Sequence, residues 1–140
     1  MSDFYTYGNV FFLLLFSSVT NIWKRIIPFW VCVGSCIAAL NLQLRCGLGW
    51  QHVAMSVLSG LLLAAIFLVN ALFFEGGGGD CILAFSMGVY LGARAGLAII
   101  LISCLLLLVY CLMIRKRESC PLAPFLLAGT LFYLILGEIL

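Results

Sequence analysis

An all-α membrane bundle with about six transmembrane helices is the fold class this sequence predicts, and three observations predict it. Of the 140 residues, 66% are hydrophobic and 9% are charged, with a mean hydropathy of +1.28. That leaves too little polar surface to clothe a water-soluble domain. The apolar residues fall into runs, most of them near the roughly 20 residues that cross a bilayer. The breaks between runs are short and carry charge, glycine or proline, so no soluble domain fits and residues 1–140 read as one integral-membrane unit in contact with lipid.

The six helices are expected near 4–21, 27–43, 51–74, 79–92, 95–114 and 121–139. The first follows Asp3 rather than a basic stretch and lacks a small-x-small cleavage site, so it is expected to stay as a span. Lys24, Arg25 and Pro28 separate it from the second; Arg45 and two nearby glycines separate the second from the third. Glu75 and Gly76-Gly77-Gly78-Gly79 precede the fourth, Arg94 ends it, and 115–118 with Pro121 precede the last. The fourth is short, about 21 Å by helical rise. Ala84, Gly88, Gly92 and Gly96 recur every fourth residue and read as a packing seam between helices in lipid.

Lys24, Arg25, Arg115, Lys116 and Arg117 flank alternate breaks from Arg45 and Arg94. Basic residues are retained on the cytoplasmic side, so the first, third and fifth loops are expected in the cytoplasm. The basic residues are not interleaved with aromatics, which excludes a nucleic-acid surface. The seven cysteines form no CxxC pair, so they read as small apolar packing residues rather than a zinc site or disulfide framework. His52, the single histidine, reads as an interfacial ring. No metal and no organic cofactor is expected.

Among the five acids, Asp3, Glu75, Asp80, Glu118 and Glu138, Asp80 stands apart. It directly follows four glycines and opens an apolar run, so an ionisable group sits at the membrane boundary, where it is costly and points to function. The glycines leave backbone beside the carboxyl free of side chains, which permits close approach of an extended peptide. A flexible loop with a helix-capping acid accounts for the same local pattern.

Three stretches taken together resemble the type IV prepilin peptidase family, which includes the archaeal preflagellin peptidases. Gly77-Gly78-Gly79-Asp80 is similar to the family's GxGD motif. The segment from Asn21 to Pro28, NIWKRIIP, resembles its other block, in which an aspartate ends helix 1 and basic residues precede Ile-Pro. The segment from Cys120 to Gly129, with Pro121 and Pro124, resembles its Pro-x-x-Pro-Phe approach to the last helix. The resemblance implies a prokaryotic plasma-membrane aspartic endopeptidase that cuts basic leaders from pilin-like or flagellin-like precursors on the cytoplasmic side. Two aspartates at helix ends would share the proton chemistry, and helices 1 to 4 would converge there. Lacking the length and CxxC pairs of long members, the chain resembles the short peptidase-only form. The resemblance places Asp80 and Asn21 in the catalytic positions and Gly77, Gly78, Gly79, Pro28 and Pro124 around the cleft.

Two positions depart from that pattern. Ile82 stands where the family usually has lysine, and Asn21 stands where the first aspartate is expected. An amide can orient water but cannot exchange a proton near neutral pH, so cleavage is expected to be weak or absent. Asp3 is about 27 Å from Asn21 along one helix, which leaves Glu75 as the rescuing acid. A naturally disabled member and an inactivating replacement are both consistent with Asn21. A non-catalytic factor that binds pilin-like precursors, and a small proton-coupled transporter using Asp80, remain as alternatives. The sequence leaves the oligomeric state open.

Overall fold

The computed structural model describes residues 2–24, 29–74, 78–114 and 123–139. They form five helices: α1 (Ser2–Lys24), α2 (Phe29–Arg45), α3 (Gly49–Phe74), α4 (Gly78–Ile114) and α5 (Ala123–Ile139). Among the described residues only the 46–48 turn is not helical, and there is no strand, so the fold is an all-α bundle. At that turn Cys46 N–H donates to Leu42 O at 3.0 Å and Gly47 N–H to Leu44 O at 3.2 Å. Gly47 takes φ 69°, the left-handed conformation with which many helices end.

The fourth element keeps the expected pair of helices at 79–92 and 95–114 to within about two residues, but joins them with no loop between. It is one helical run from Gly78 to Ile114, broken only at Gly92 (φ 78°, ψ 169°). Those dihedrals belong to a region that is essentially glycine's alone. The break is a reversal. A Cβ built on Gly96 would lie 4.0 Å from Gly88 Cα, although eight residues of straight helix extend about 12 Å. A first arm (78–91) and a second arm (93–114) therefore fold back on each other. Five helices thus contain six helical segments, with Ala93 and Arg94 inside the second arm rather than in a loop.

The small-residue seam is corrected as well, because its four members do not share one face. Gly88 crosses α3 at Gly60, where an added Cβ would meet Gly60 Cα at 2.6 Å. Gly96 packs on Leu63, while Gly92 has nothing within 4 Å and serves as the hinge. Ala84 is fully buried. At the other side of the second arm, Gly129 of α5 lies against Ile99 and Ser103, and Tyr110 meets Phe125 with ring centroids 5.3 Å apart.

These contacts fix which ends of the helices lie together. α3 and the first arm run antiparallel, as do the second arm and α5. The starts of α1 and α5's last turns line a common groove through Tyr7, Gly8, Phe11, Leu134 and Gly137. One end of the bundle therefore gathers the end of α1, the start of α2, the end of α3, both ends of α4 and the start of α5. The opposite end holds the 46–48 turn, Gly92 and His52.

The core is built from Val10, Leu13 and Leu14 of α1, Leu63 and Phe67 of α3, Leu83, Met87 and Ile99 of α4, and Leu126 of α5. The outside is as apolar as the inside: Phe12, Leu72, Leu108 and Leu112 are all more than half exposed. Helices Gly49–Phe73 and Gly79–Ile114 are long and apolar enough to cross a membrane, and Tyr7–Thr20, Phe29–Arg45 and Pro124–Gly137 are shorter apolar helices. Such a surface suits lipid and not water.

Gly88→Leu is expected to destabilise the fold by about 1–3 kcal/mol through overpacking against Gly60. Gly92→Ala meets no atom but inherits a glycine-only backbone, with an expected cost of about 1–3 kcal/mol. Reversible unfolding in detergent micelles measures both; loss of neither would contradict the hairpin.

Candidate active site at one end of the bundle

Asp80 occupies the first turn of α4 and is half-buried. Its helical neighbours three, four and seven residues on are Leu83, Ala84 and Met87, all fully buried. Residues at these spacings share a helix face, so Asp80 continues the inward stripe of the first arm to its end. A carboxyl there gains from the unpaired amides and the dipole of the helix start. Gly78 and Gly79 immediately precede it within the same helix.

Asn21 lies in the last turn of α1. It stands four residues beyond Ser17, about 6 Å along the axis. Ser17 is fully buried and faces the thiol of Cys32 on α2, which also faces Ser86 on the first arm of α4. Three helices thus meet at Ser17, Cys32 and Ser86, roughly one to two turns inside the bundle from the end that carries Asn21 and Asp80. Asn21 and Asp80 are therefore brought to the same end, and Pro124, half-buried at the start of α5, lies at that end too. Gly77, Pro28 and Glu75 fall outside the described residues.

The polar contacts beneath this end differ in quality. Cys36 Sγ–H donates to Ser86 Oγ at 3.3 Å. Ser86 Oγ in turn donates to Ile82 O at 3.0 Å, with Cys32 O at 3.5 Å as a second acceptor. Ser17 Oγ, by contrast, faces Cys32 without hydrogen-bond geometry and has no partner among the described residues. Cys32, Cys36, Cys46, Cys81 and Cys104 are free thiols. Among the described residues no three His, Cys, Asp or Glu side chains cluster as a metal site.

Two further polar contacts escaped the sequence reading. Tyr90 Oη donates to Ser35 O at 2.7 Å, and Gln43 Nε2 donates to Val89 O at 3.2 Å. The signal was present in Gln43, an amide in an otherwise apolar helix. The groove lined by Tyr7, Phe11 and Leu134, about 650 Å³, lies at the opposite end of the bundle and has no part in chemistry at Asp80.

Ser17→Ala is expected to change stability by less than about 0.5 kcal/mol, since no bond is lost, whereas Ser86→Ala costs about 1 kcal/mol by removing the acceptor of Cys36. Detergent unfolding of the two variants side by side checks this ordering.

The model of the type IV leader peptidase family matches residues 9–112, a stretch that includes both Asn21 and Asp80. Neither the curated proteins nor the solved structures gave a match.

Proposed function

The chain belongs to the type IV leader peptidase family, and on that premise we propose a membrane-embedded aspartic endopeptidase site formed by Asp80 and position 21. Its substrates are precursors of the pilin or flagellin type, cut after a basic leader at the cytoplasmic membrane face. The observation that carries the proposal is the position of Asp80: a carboxyl on the buried stripe of a helix, at the end of the bundle where α1 also ends. The basic residues in sequence around that end, Lys24, Arg25 and 115–117, support its cytoplasmic placement.

The chemistry follows from the groups available. A carboxylate at Asp80 can take a proton from water attacking the scissile carbonyl, and the partner group must then supply a proton to the leaving amine. In a paired site the two carboxyls share one proton, because like charges so close cannot both ionise. Asn21 can hold the water or the substrate carbonyl by hydrogen bonds but cannot complete the proton transfer. The chain as it stands is thus proposed to bind precursor and cleave it weakly or not at all. Glu75, five residues before Asp80, is the one acid of the adjoining loop and is proposed as the only substitute proton carrier. Gly77, Gly78 and Gly79 with Pro28 and Pro124 are proposed to border the cleft.

A second reading is favoured by Asn21 itself: a non-catalytic member that binds pilin-like helices without cutting them. The two readings separate in one experiment, leader cleavage of a pilin-like precursor in membranes with an active family member as control. Asn21→Asp is expected to raise cleavage by about 100- to 10,000-fold, and Asp80→Asn in that background to abolish it. Cleavage that survives the double change sinks the paired-carboxyl assignment; precursor binding with no product from Asn21→Asp favours the binding role.

A further inference from the structure

We infer that Gln43 and Tyr90 are positioning residues that set the depth of Asp80 by locking the first arm of α4 to α2. The inference rests on the reading of Asp80 as a reacting group. The arm 78–91 opens with Gly78-Gly79 in the same helix as Asp80 and ends at the glycine break at Gly92. Its contact with α3 runs through Gly60 and Gly88, with the side chains of Phe85 and Val89 against Gly60, an apolar crossing whose attraction is non-directional. Hydrogen bonds, in contrast, are directional and steep in distance. Among the described residues, those that tie the arm to another helix reach α2: Cys36 to Ser86, Tyr90 to Ser35 O and Gln43 to Val89 O.

The last two sit near the hinge. A continuous helix would pair Val89 O with the N–H of residue 93, beyond the break at Gly92; Gln43 Nε2 meets that carbonyl at 3.2 Å. The same amide leaves Gln43 Oε1 buried with no partner among the described residues, which is costly in an apolar interior. An apolar side chain would spare that cost but give up the bond to the arm. Tyr90, only 8% exposed, fixes the arm one residue further along. From there Asp80 is ten residues away, about 15 Å of rigid helix, so a shift at the hinge is delivered to the carboxyl.

The test uses the full chain carrying Asn21→Asp, purified in detergent, with Gln43→Leu or Tyr90→Phe added singly. Each is expected to lower kcat for precursor cleavage about tenfold, the scale of one lost hydrogen bond, with KM unchanged within about twofold. Gln43→Leu is expected to unfold no more easily than its parent, because an unpaired buried acceptor has gone. The two limbs of the pH–rate profile should move toward each other, since carboxyls held farther apart couple less. Unchanged kcat and pH profile, or a fall in rate that only follows loss of folded protein, overturns the inference. If Asn21→Asp shows no cleavage, the paired-carboxyl reading fails, and amide hydrogen exchange then decides the locking by itself. Tyr90→Phe is expected to speed exchange across 78–91 about tenfold while 93–114 is unchanged; equal effects on both arms, or none, overturn it.

Discussion

The contact of Gly60 with Gly88 is the constraint on which the rest of this bundle depends. With a Cβ at either position the helices could not approach as they do, since an added atom would fall 2.6 to 2.9 Å from the opposing backbone. The close crossing holds the first arm of α4 against α3, and Gly92 then turns the second arm back along it. Without that reversal α4 would be a rod of about 55 Å, nearly twice the thickness of a bilayer's hydrocarbon core. The start of α5 would then lie at the end opposite Asp80. Three glycines thus decide that both ends of α4 share one end of the bundle with the end of α1.

Lipid as the surrounding solvent changes what the remaining interactions can do. Apolar burial drives little association between helices there, so fit and hydrogen bonds carry more of the specificity. Exposed Leu72 and Leu112 are then ordinary, whereas buried Ser86 and Tyr90 and half-buried Gln43 are informative. Among the described residues, Cys36, Ser86, Tyr90 and Gln43 Nε2 are bonded across that interface or within their own helix, with Gln43 Oε1 left over. The arrangement concentrates directional contacts on the arm that begins with Asp80. α5, by contrast, meets the second arm through the apolar and small residues Ile99, Gly129 and Phe125.

Much of this was legible in the residues themselves. Composition and run length gave the all-α membrane class, and the helix limits at 51–74 and 121–139 fell within about two residues of α3 and α5, the usual error at helix ends. The Asp80 motif was visible because four glycines before an acid are rare in an apolar chain. Its place on a buried stripe could not be read, since that depends on which face of α4 meets α3. The period-four spacing of Ala84, Gly88, Gly92 and Gly96 suggested one seam. A backbone break is invisible to such a pattern, because glycine serves equally as a packing residue and as a hinge. Gln43 and Tyr90 were passed over for a related reason: their partners are backbone carbonyls, and every residue offers one.

The fold is insensitive to the residue that most affects the proposed chemistry. Among the described side chains, the contacts that hold the arms of α4 run through Gly60, Gly88, Gly96, Ser86, Tyr90 and Gln43. Asparagine and aspartate have nearly the same size and shape, so exchanging them at the end of α1 asks nothing new of the packing. What changes is proton capacity: a carboxyl titrates and couples to a neighbouring carboxyl, whereas an amide does neither. A chain can therefore keep the whole bundle, including Asp80 on its buried stripe, while losing half of a two-proton mechanism. Retention of the bundle does not itself imply turnover, because binding a helical precursor draws on the shape of the site end and cutting it draws on one proton more.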